Sequence, residues 1–294
     1  MAQERKLIEK AYGFPFPDDL YAFHDFVQTH GKRCVPLGVR IDGPLALLTK
    51  KRPDAERFYD DPPELFTVLT GNIDGLHWGY WFDHPGKSEP IVASYYANDT
   101  FELRVDGSTL FEAVRGQLEA FHRDAEDSCE DDPVNVAGYR RRLDDYAETR
   151  EALAKHSNVL RKRREIGSRY LDKYVRSAKP PTKRRPIAPT RSKIGIVVDK
   201  KQYRPLAKND PFQAPGYRPK APEVTRVVAT ARKAAARGFP GAALKLGHDL
   251  WIYKEHHAAS HEMLELAYAA LGRDVLRQQL AKAIAYRRAC DSAA

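Results

Sequence analysis

Apolar positions along the chain recur with two periods. Near the N-terminus Leu7, Ile8, Ala11 and Tyr12 fall at helical spacing, and a turn follows at Gly13-Phe14-Pro15-Phe16-Pro17. A second helix is predicted from Asp18, with Leu20, Tyr21, Phe23 and Phe26 on one face. Asp18 and Asp19 occupy its first turn, where the partial positive charge of a helix N-terminus favours acids. Between residues 58 and 105 the pattern changes. Residues 65–69, 77–82, 91–96 and 101–105 are rich in β-branched and aromatic side chains, separated by Gly71-Asn72, Pro85-Gly86 and Asn98-Asp99. That predicts an antiparallel meander, closed by a helix over 109–123.

The second half reads as helical. Residues 139–175 are strongly charged, with Leu143, Tyr146, Leu153, Leu160, Ile166 and Leu171 as a broken apolar stripe that Gly167 divides. The proline-rich, basic run 179–186 predicts an exposed, extended connection. It suits a nuclear-targeting or phosphate patch, although a solvated loop is its plainer reading. A strand is expected over 193–199, then an irregular stretch 200–222 holding Tyr203-Arg204. Helices over 222–236, 242–271 and 273–288 finish the chain, with a break at Gly238-Phe239-Pro240-Gly241. The fold class is therefore α+β: an N-terminal antiparallel-sheet lobe with flanking helices, and a C-terminal, mostly helical lobe. The division falls at 1–123, an acidic linker 124–138, and 139–294. Carboxylates crowd 124–133, but neither the alternating ligand spacing nor the central glycine of a calcium loop is present.

Composition changes this picture mainly through charge. A chain of 294 residues with 42% hydrophobic positions can bury a sizeable core in one large or two ordinary domains. No apolar run approaches the ~18–20 residues of a membrane span, and the first residues lack a secretory pattern, so an intracellular protein is expected. Cys34, Cys129 and Cys290 are odd in number and far apart, which argues against a disulfide frame or a structural zinc site. The net charge of +9 is uneven: residues 1–136 carry 14 basic against 25 acidic side chains, whereas the remainder holds 35 against 15. The basic half suits nucleic acid, an acidic protein surface or an anionic cofactor, or simply the acidic half of the same chain.

Motifs for catalysis are sparse. His257 and His261 stand at i, i+4 beside His256, which is metal-ligand spacing, but Ala258 occupies the place where a zincin carries glutamate. No third ligand is evident, so no metal is assigned. Neither a phosphate loop, a dinucleotide fingerprint nor a nucleophile elbow is present. The aromatic side chains of 77–96 belong to predicted sheet and read as packing rather than base stacking.

One constellation is distinctive. Arg57-Phe58-Tyr59-Asp60-Asp61-Pro62-Pro63-Glu64-Leu65 is followed by Gly71 and by His77-Trp78-Gly79-Tyr80-Trp81-Phe82-Asp83. Collinear with it are the opening 16–23, the stretch Ile196-Val197-Val198-Asp199-Lys200 with Tyr203-Arg204, the run Leu244-Lys245-Leu246-Gly247-His248-Asp249-Leu250-Trp251, and Leu266-Ala267-Tyr268. Together these resemble the histone PARylation factor family, accessory proteins of poly(ADP-ribose) polymerases, over most of residues 10–285.

The resemblance implies a non-enzymatic protein that docks on a PARP-type transferase, over its NAD-binding cleft, and redirects ADP-ribose onto serine. NAD would belong to the partner, and histones or other serine-containing proteins would be substrates. Tyr203 and Arg204 match the family's Tyr-Arg dipeptide, which helps form the contact surface. In the family a glutamate of the accessory protein accepts the serine proton, and it belongs to an Asp-Glu pair ahead of the Leu-Glu-Leu-Gly run. Counting back without gaps from Leu244 places that pair at Ala236 and Arg237. A guanidinium stays protonated at any working pH and cannot take the role. Another acid from nearby in the sequence, Glu223, Asp210 or Glu255, would take over; otherwise the chain binds without lending a base. Two other readings stand beside this one. The N-terminal pattern also resembles SMI1/KNR4-like immunity proteins, over about residues 1–122, and the basic runs alone would suit nucleic acid. The Ala- and Arg-rich second half suggests a bacterial, cytoplasmic setting; a eukaryotic member would be nuclear.

Overall fold

The protein was examined as a computed structural model that describes residues 2–34, 40–49, 58, 60–71, 74–99, 101–118, 136–156, 183–208, 210–214 and 216–293. The expected linker over 124–138 lies outside these residues as far as 135, and 136–138 belong to a helix; the run 157–182, including the start of the basic proline-rich stretch, and Cys129 also lie outside them.

Helix α1 (Ala2–Tyr12) and helix α2 (Asp18–Cys34) form where the apolar spacing predicts them. Their connection is more than a turn. Phe14 and Phe16 are buried, and their rings meet Phe66 and Phe82 of the sheet at 4.9–5.7 Å, mostly edge to face. Such pairs add stability beyond the area they bury. A short strand β1 (Arg40–Ile41), absent from the expected elements, precedes helix α3 (Gly43–Leu48), whose N-terminus is capped by the Asp42 carboxylate.

The meander is β2 (Leu65–Thr70), β3 (Leu76–Trp81), β4 (Ile91–Tyr96) and β5 (Arg104–Gly107), and with β1 it makes a five-stranded antiparallel sheet in sequence order. Leu65 pairs with Trp81, and Leu76 with Tyr96. Phe66, Val68, Trp78, Tyr80 and Val92 join α1 and α2 in the main core. Leu65, Trp81, Ile91, Ala93 and Tyr95 face the other way, onto Leu103 and Ile194. Both faces are thus covered, and all six residues of β3 are buried. Gly79 allows this close packing: a Cβ there would lie 2.5 Å from the Phe66 carbonyl oxygen. Helix α4 (110–118) ends the sheet region, and α5 (Val136–His156) packs on α2.

The C-terminal part holds α6 (Ala221–Ala236), α7 (Pro240–Trp251), α8 (His257–Leu271) and α9 (Asp274–Ala293). Every residue of α7 is buried, since it runs between α6 and α8. Gly247 lets α8 approach, because a Cβ would lie 2.7 Å from the Leu264 side chain. The helix expected over 242–271 is two, separated by a 3-10 turn at Lys254–His256. The strand expected over 193–199 is also corrected. Among the described residues its one ladder contact is a bridge between Ile196 and Ala188, and positive φ at Lys193 and Gly195 bends the chain out of extension.

One apolar cluster runs from Ile8 through the sheet to Ala283, and buried charge crosses the same boundary. Asp61 is fully buried and accepts from the Thr67 hydroxyl (2.6 Å), the Tyr95 hydroxyl (2.6 Å) and His77 Nδ1 (2.8 Å). The Asp60 carbonyl accepts from Trp251 Nε1 at 2.8 Å, and its carboxylate meets Arg287 at 3.3 Å. Arg287 lies 4.2 Å over the Trp251 ring and donates to His261 Nε2. Glu64 Oε1 accepts from His248 Nε2 (3.0 Å) and the Tyr268 hydroxyl (2.6 Å). Asp83 takes Arg184 bidentately at 2.7 and 2.8 Å. Arg184, read from sequence as part of an exposed basic patch, is therefore committed internally, while Lys183 reaches Glu89.

Burial acts to raise the Glu64 pKa, but the His248 charge, the hydrogen bonds from His248 and Tyr268 and the Arg273 charge outweigh it, and the carboxyl is held below its usual value. A carboxyl depressed in the folded state stabilises above its unfolded pKa of ~4.3, and that stability is lost as pH falls through the folded value. Glu64→Gln keeps the shape and removes the charge. It should cost about 2 kcal/mol at pH 7, the scale of charge-assisted hydrogen bonds. In urea denaturation across pH the gap from wild type should shrink below pH ~4.3; a constant gap would contradict the assignment.

Candidate functional site

The Tyr203-Arg204 dipeptide leaves a short 3-10 turn, Lys200–Gln202, whose N-terminus Asp199 caps by accepting from the Lys201 N–H at 2.9 Å. Tyr203 is extended (φ −124°, ψ 133°), and Pro205 keeps the preceding Arg204 out of helical conformation. The Tyr203 ring packs partly onto the core, whereas Arg204 is exposed. The start of α7 is pressed against this segment. A Cβ on Gly241 would lie 2.8 Å from Val198 Cγ2, 2.9 Å from the Gln202 carbonyl oxygen and 3.3 Å from Tyr203 Cβ, so only glycine fits.

Ala236 and Arg237 lie four to five residues before that contact and are exposed. Arg237 caps the C-terminus of α6, and Gly238 (φ 89°) turns the chain into α7. The structure thus brings the end of α6 and the Tyr203-Arg204 turn to the same end of α7, which joins them through Gly241.

Beneath Tyr203 lies a charge cluster that sequence reasoning missed. Lys245, one turn into α7 from Gly241, is only 10% exposed and pairs with Asp249 Oδ2 at 2.5 Å and with Asp210. Asp249 is 1% exposed, and its other oxygen accepts the Arg191 backbone N–H at 2.7 Å. Asp210 also caps the 3-10 turn Pro211–Gln213. Burial lifts Asp249 to about 6, against the opposing pull of Lys245 and of the Arg191 N–H. Lys245 would be lowered by burial, but the two carboxylates raise it. Burial likewise raises Tyr203, with Lys245 opposing and Asp210 and Asp249 adding to the shift. The signal was present: a lysine inside the otherwise apolar 244–251, with aspartate four residues on, marks an internal ion pair.

Of the three substitute acids, Asp210 alone is among the charges that act on Tyr203. Its side chain is 31% exposed, and it is already engaged by Lys245. Glu223 lies in the first turn of α6 beside Tyr217, and Glu255 is exposed in the turn before α8. His257 and His261 stack on each other, with ring centroids 5.8 Å apart, while His256 is employed elsewhere. His256 Nε2 donates to the Pro219 carbonyl (3.0 Å), while His261 receives Arg287 and is pushed down to about 4, by burial first and then by the Arg287 charge. Among the described residues no group of three or more His, Cys, Asp or Glu side chains could hold a metal ion, and no helix is long and apolar enough to cross a membrane.

The architecture and the site define an α+β protein whose sheet region and helical region are locked by buried ion pairs, with a Tyr-Arg turn at the α6–α7 junction. Residues 3–214 match the family of histone PARylation factor 1, and the chain belongs to that family. Similar curated relatives are the histone PARylation factor 1 of Danio rerio, 29% identical over 126 residues, and those of Bos taurus and Mus musculus, each 30% identical over 129 residues. These matches cover 37–38% of this chain and 36–37% of the relatives, so the chain spans little more than a third of the length of the curated relatives it matches. The family match includes Tyr203 and Arg204 and runs well past residue 122, where an immunity-type domain would end. Ala236 and Arg237 fall beyond it.

The Lys245 site makes its own prediction. Lys245→Met leaves Asp249 buried without its cation and should cost about 3–5 kcal/mol. Adding Asp249→Leu removes the orphaned charge and should restore more than half of that loss in chemical denaturation. Simple additivity of the two losses would show that the pair is not coupled.

Proposed function

We propose that this chain is an accessory protein of ADP-ribosylation that docks on a PARP-type transferase through the Tyr203-Arg204 turn and the adjoining start of α7. The partner would hold NAD; this chain would bind none itself. The acceptor would be a serine on a histone or another protein. Membership of the histone PARylation factor 1 family supports the coarse reading. The observation that carries the finer one is the posture of the dipeptide: Tyr203 is braced against the core and Gly241, and Arg204 projects beside it into solvent. A rigid aromatic anchor next to a free guanidinium is the composition of an interface hot spot.

On the count from Leu244, Arg237 stands where the family places its proton acceptor. A serine hydroxyl is a weak nucleophile until a base takes its proton. The chain therefore docks without lending a carboxylate from that position. The compartment follows the partner: nuclear beside chromatin, cytoplasmic in a bacterial cell.

The test is to combine the full chain with a cognate PARP-type catalytic domain, NAD and a serine peptide. Binding is expected, and Arg204→Ala and Tyr203→Ala should each weaken it about tenfold or more. Absence of binding to every cognate transferase overturns the function, and unchanged affinity in the variants overturns the docking site. Arg237→Glu should raise serine modification at equal occupancy of the complex, read by mass spectrometry of the peptide. No gain would remove position 237 from the reaction.

A further inference from the structure

The outer face of α6 carries two cations, Arg226 and Lys233, that the docking reading does not use, and Arg237 at the helix C-cap extends them. Arg226, Lys233 and Arg237 stand at i, i+7 and i+11, so they share one face of the helix along about 16 Å. All three are exposed, and none forms an ion pair with a carboxylate among the described residues. Arg232, off this row, is occupied by Glu262. The remaining acid of α6, Glu223, is half-buried in the first turn. Ala229, Thr230 and Ala236 lie between the cations and are small, and the Thr230 hydroxyl is folded back onto the Arg226 carbonyl at 3.0 Å. Past the end of the helix the positive character continues through the exposed Lys200, Lys201 and Arg204.

What this ridge lacks decides its partner. The exposed large hydrophobic side chains among the described residues are Leu7, Phe58 and Tyr286, none of them on α6. A protein partner would need buried apolar or aromatic anchors on this face. A phosphodiester backbone needs cations in a row and small residues between them so that it can come close. We propose that the α6 ridge binds the backbone of duplex nucleic acid without reading its bases. Sixteen ångströms of duplex axis present on the order of nine phosphate charges, enough for all three side chains. The acidic first half of the chain repels the same backbone and so fixes the orientation in which the duplex lands. The proposal does not rest on the docking reading.

Three phosphate contacts predict a salt slope of about −2.7 in log K against log salt, or a loss of about 40-fold between 50 and 200 mM. The experiment is fluorescence anisotropy of the full chain with a labelled mixed-sequence duplex of about 20 base pairs, for wild type and Arg226→Gln/Lys233→Gln. The double variant should lose affinity at least tenfold and fall to a slope of about −0.9, with an unchanged circular dichroism spectrum and melting curve. No binding by wild type at 50 mM salt, or identical curves for the two proteins, overturns the proposal. Tighter binding of polyglutamate than of the duplex at equal charge and 50 mM salt reassigns the ridge to an acidic protein segment and also overturns it. Pull-down on a PARP-type catalytic domain with the same double variant separates the two ideas. Retained docking with lost duplex binding supports an independent site, and loss of both merges the ridge with the docking face.

Discussion

Asp60-Asp61-Pro62-Pro63-Glu64 places three carboxylates where water hardly reaches, and much of the molecule is arranged to answer them. An isolated buried carboxylate costs several kcal/mol, so each needs a specific partner. Asp61 finds hydroxyls and a histidine inside the sheet region. Asp60 and Glu64 find theirs on α7, α8 and α9. Apolar packing is tolerant of sliding, whereas these contacts are directional. They fix how the helical region sits on the sheet, much as a polar residue fixes register in an otherwise uniform core.

That constraint reaches the candidate site through one helix. Glu64 holds His248 and Asp60 holds Trp251, so the C-terminal half of α7 is pinned to the sheet region. The N-terminal half is pinned to the Tyr203 turn by the close approach at Gly241 and by the Lys245 cluster. A rigid, fully buried rod thus ties an exposed dipeptide to the most buried charges in the chain. Preorganisation of this kind lowers the entropy lost when a surface meets a partner.

Periodicity made the elements legible, and charge made their pairing hard to see. Helix α2, the meander and the C-terminal helices lie close to where spacing puts them, because the apolar positions that recur along each are among those it buries. The expected strand over 193–199 failed for a reason spacing does not carry. Arg184 takes the Ile194 and Gly195 carbonyls and Arg273 takes the Val197 carbonyl, so acceptors that a strand would spend on a neighbour go to guanidiniums. The long helix over 242–271 breaks at the 3-10 turn Lys254–His256, where the Tyr253 and His256 side chains donate to the Tyr217 and Pro219 carbonyls. Burial of Asp60, Glu64 and Arg184 had no local signal at all, since such residues are mostly exposed. At the site, Tyr203 and Arg204 were visible only through resemblance, whereas the Lys245–Asp249 spacing could have been read directly.

The sign of charge at the α6–α7 junction constrains what this surface can do. Lys245 lies inside α7, and Arg237 ends α6. The two cations are unlike in their consequences. Lys245 is buried and answered by Asp210 and Asp249, so its charge is spent inside and contributes little field outside. Arg237 is exposed and meets no carboxylate among the described residues, and with Arg204, Lys200 and Lys201 it leaves the junction positive. A positive junction favours an acidic surface or a phosphate and disfavours the close approach of a basic, lysine- and arginine-rich tail. If this chain docks on a transferase as proposed, serines among neutral or acidic neighbours should be modified in preference to those in the basic tails of histones, a preference that follows from Coulomb interaction at the junction.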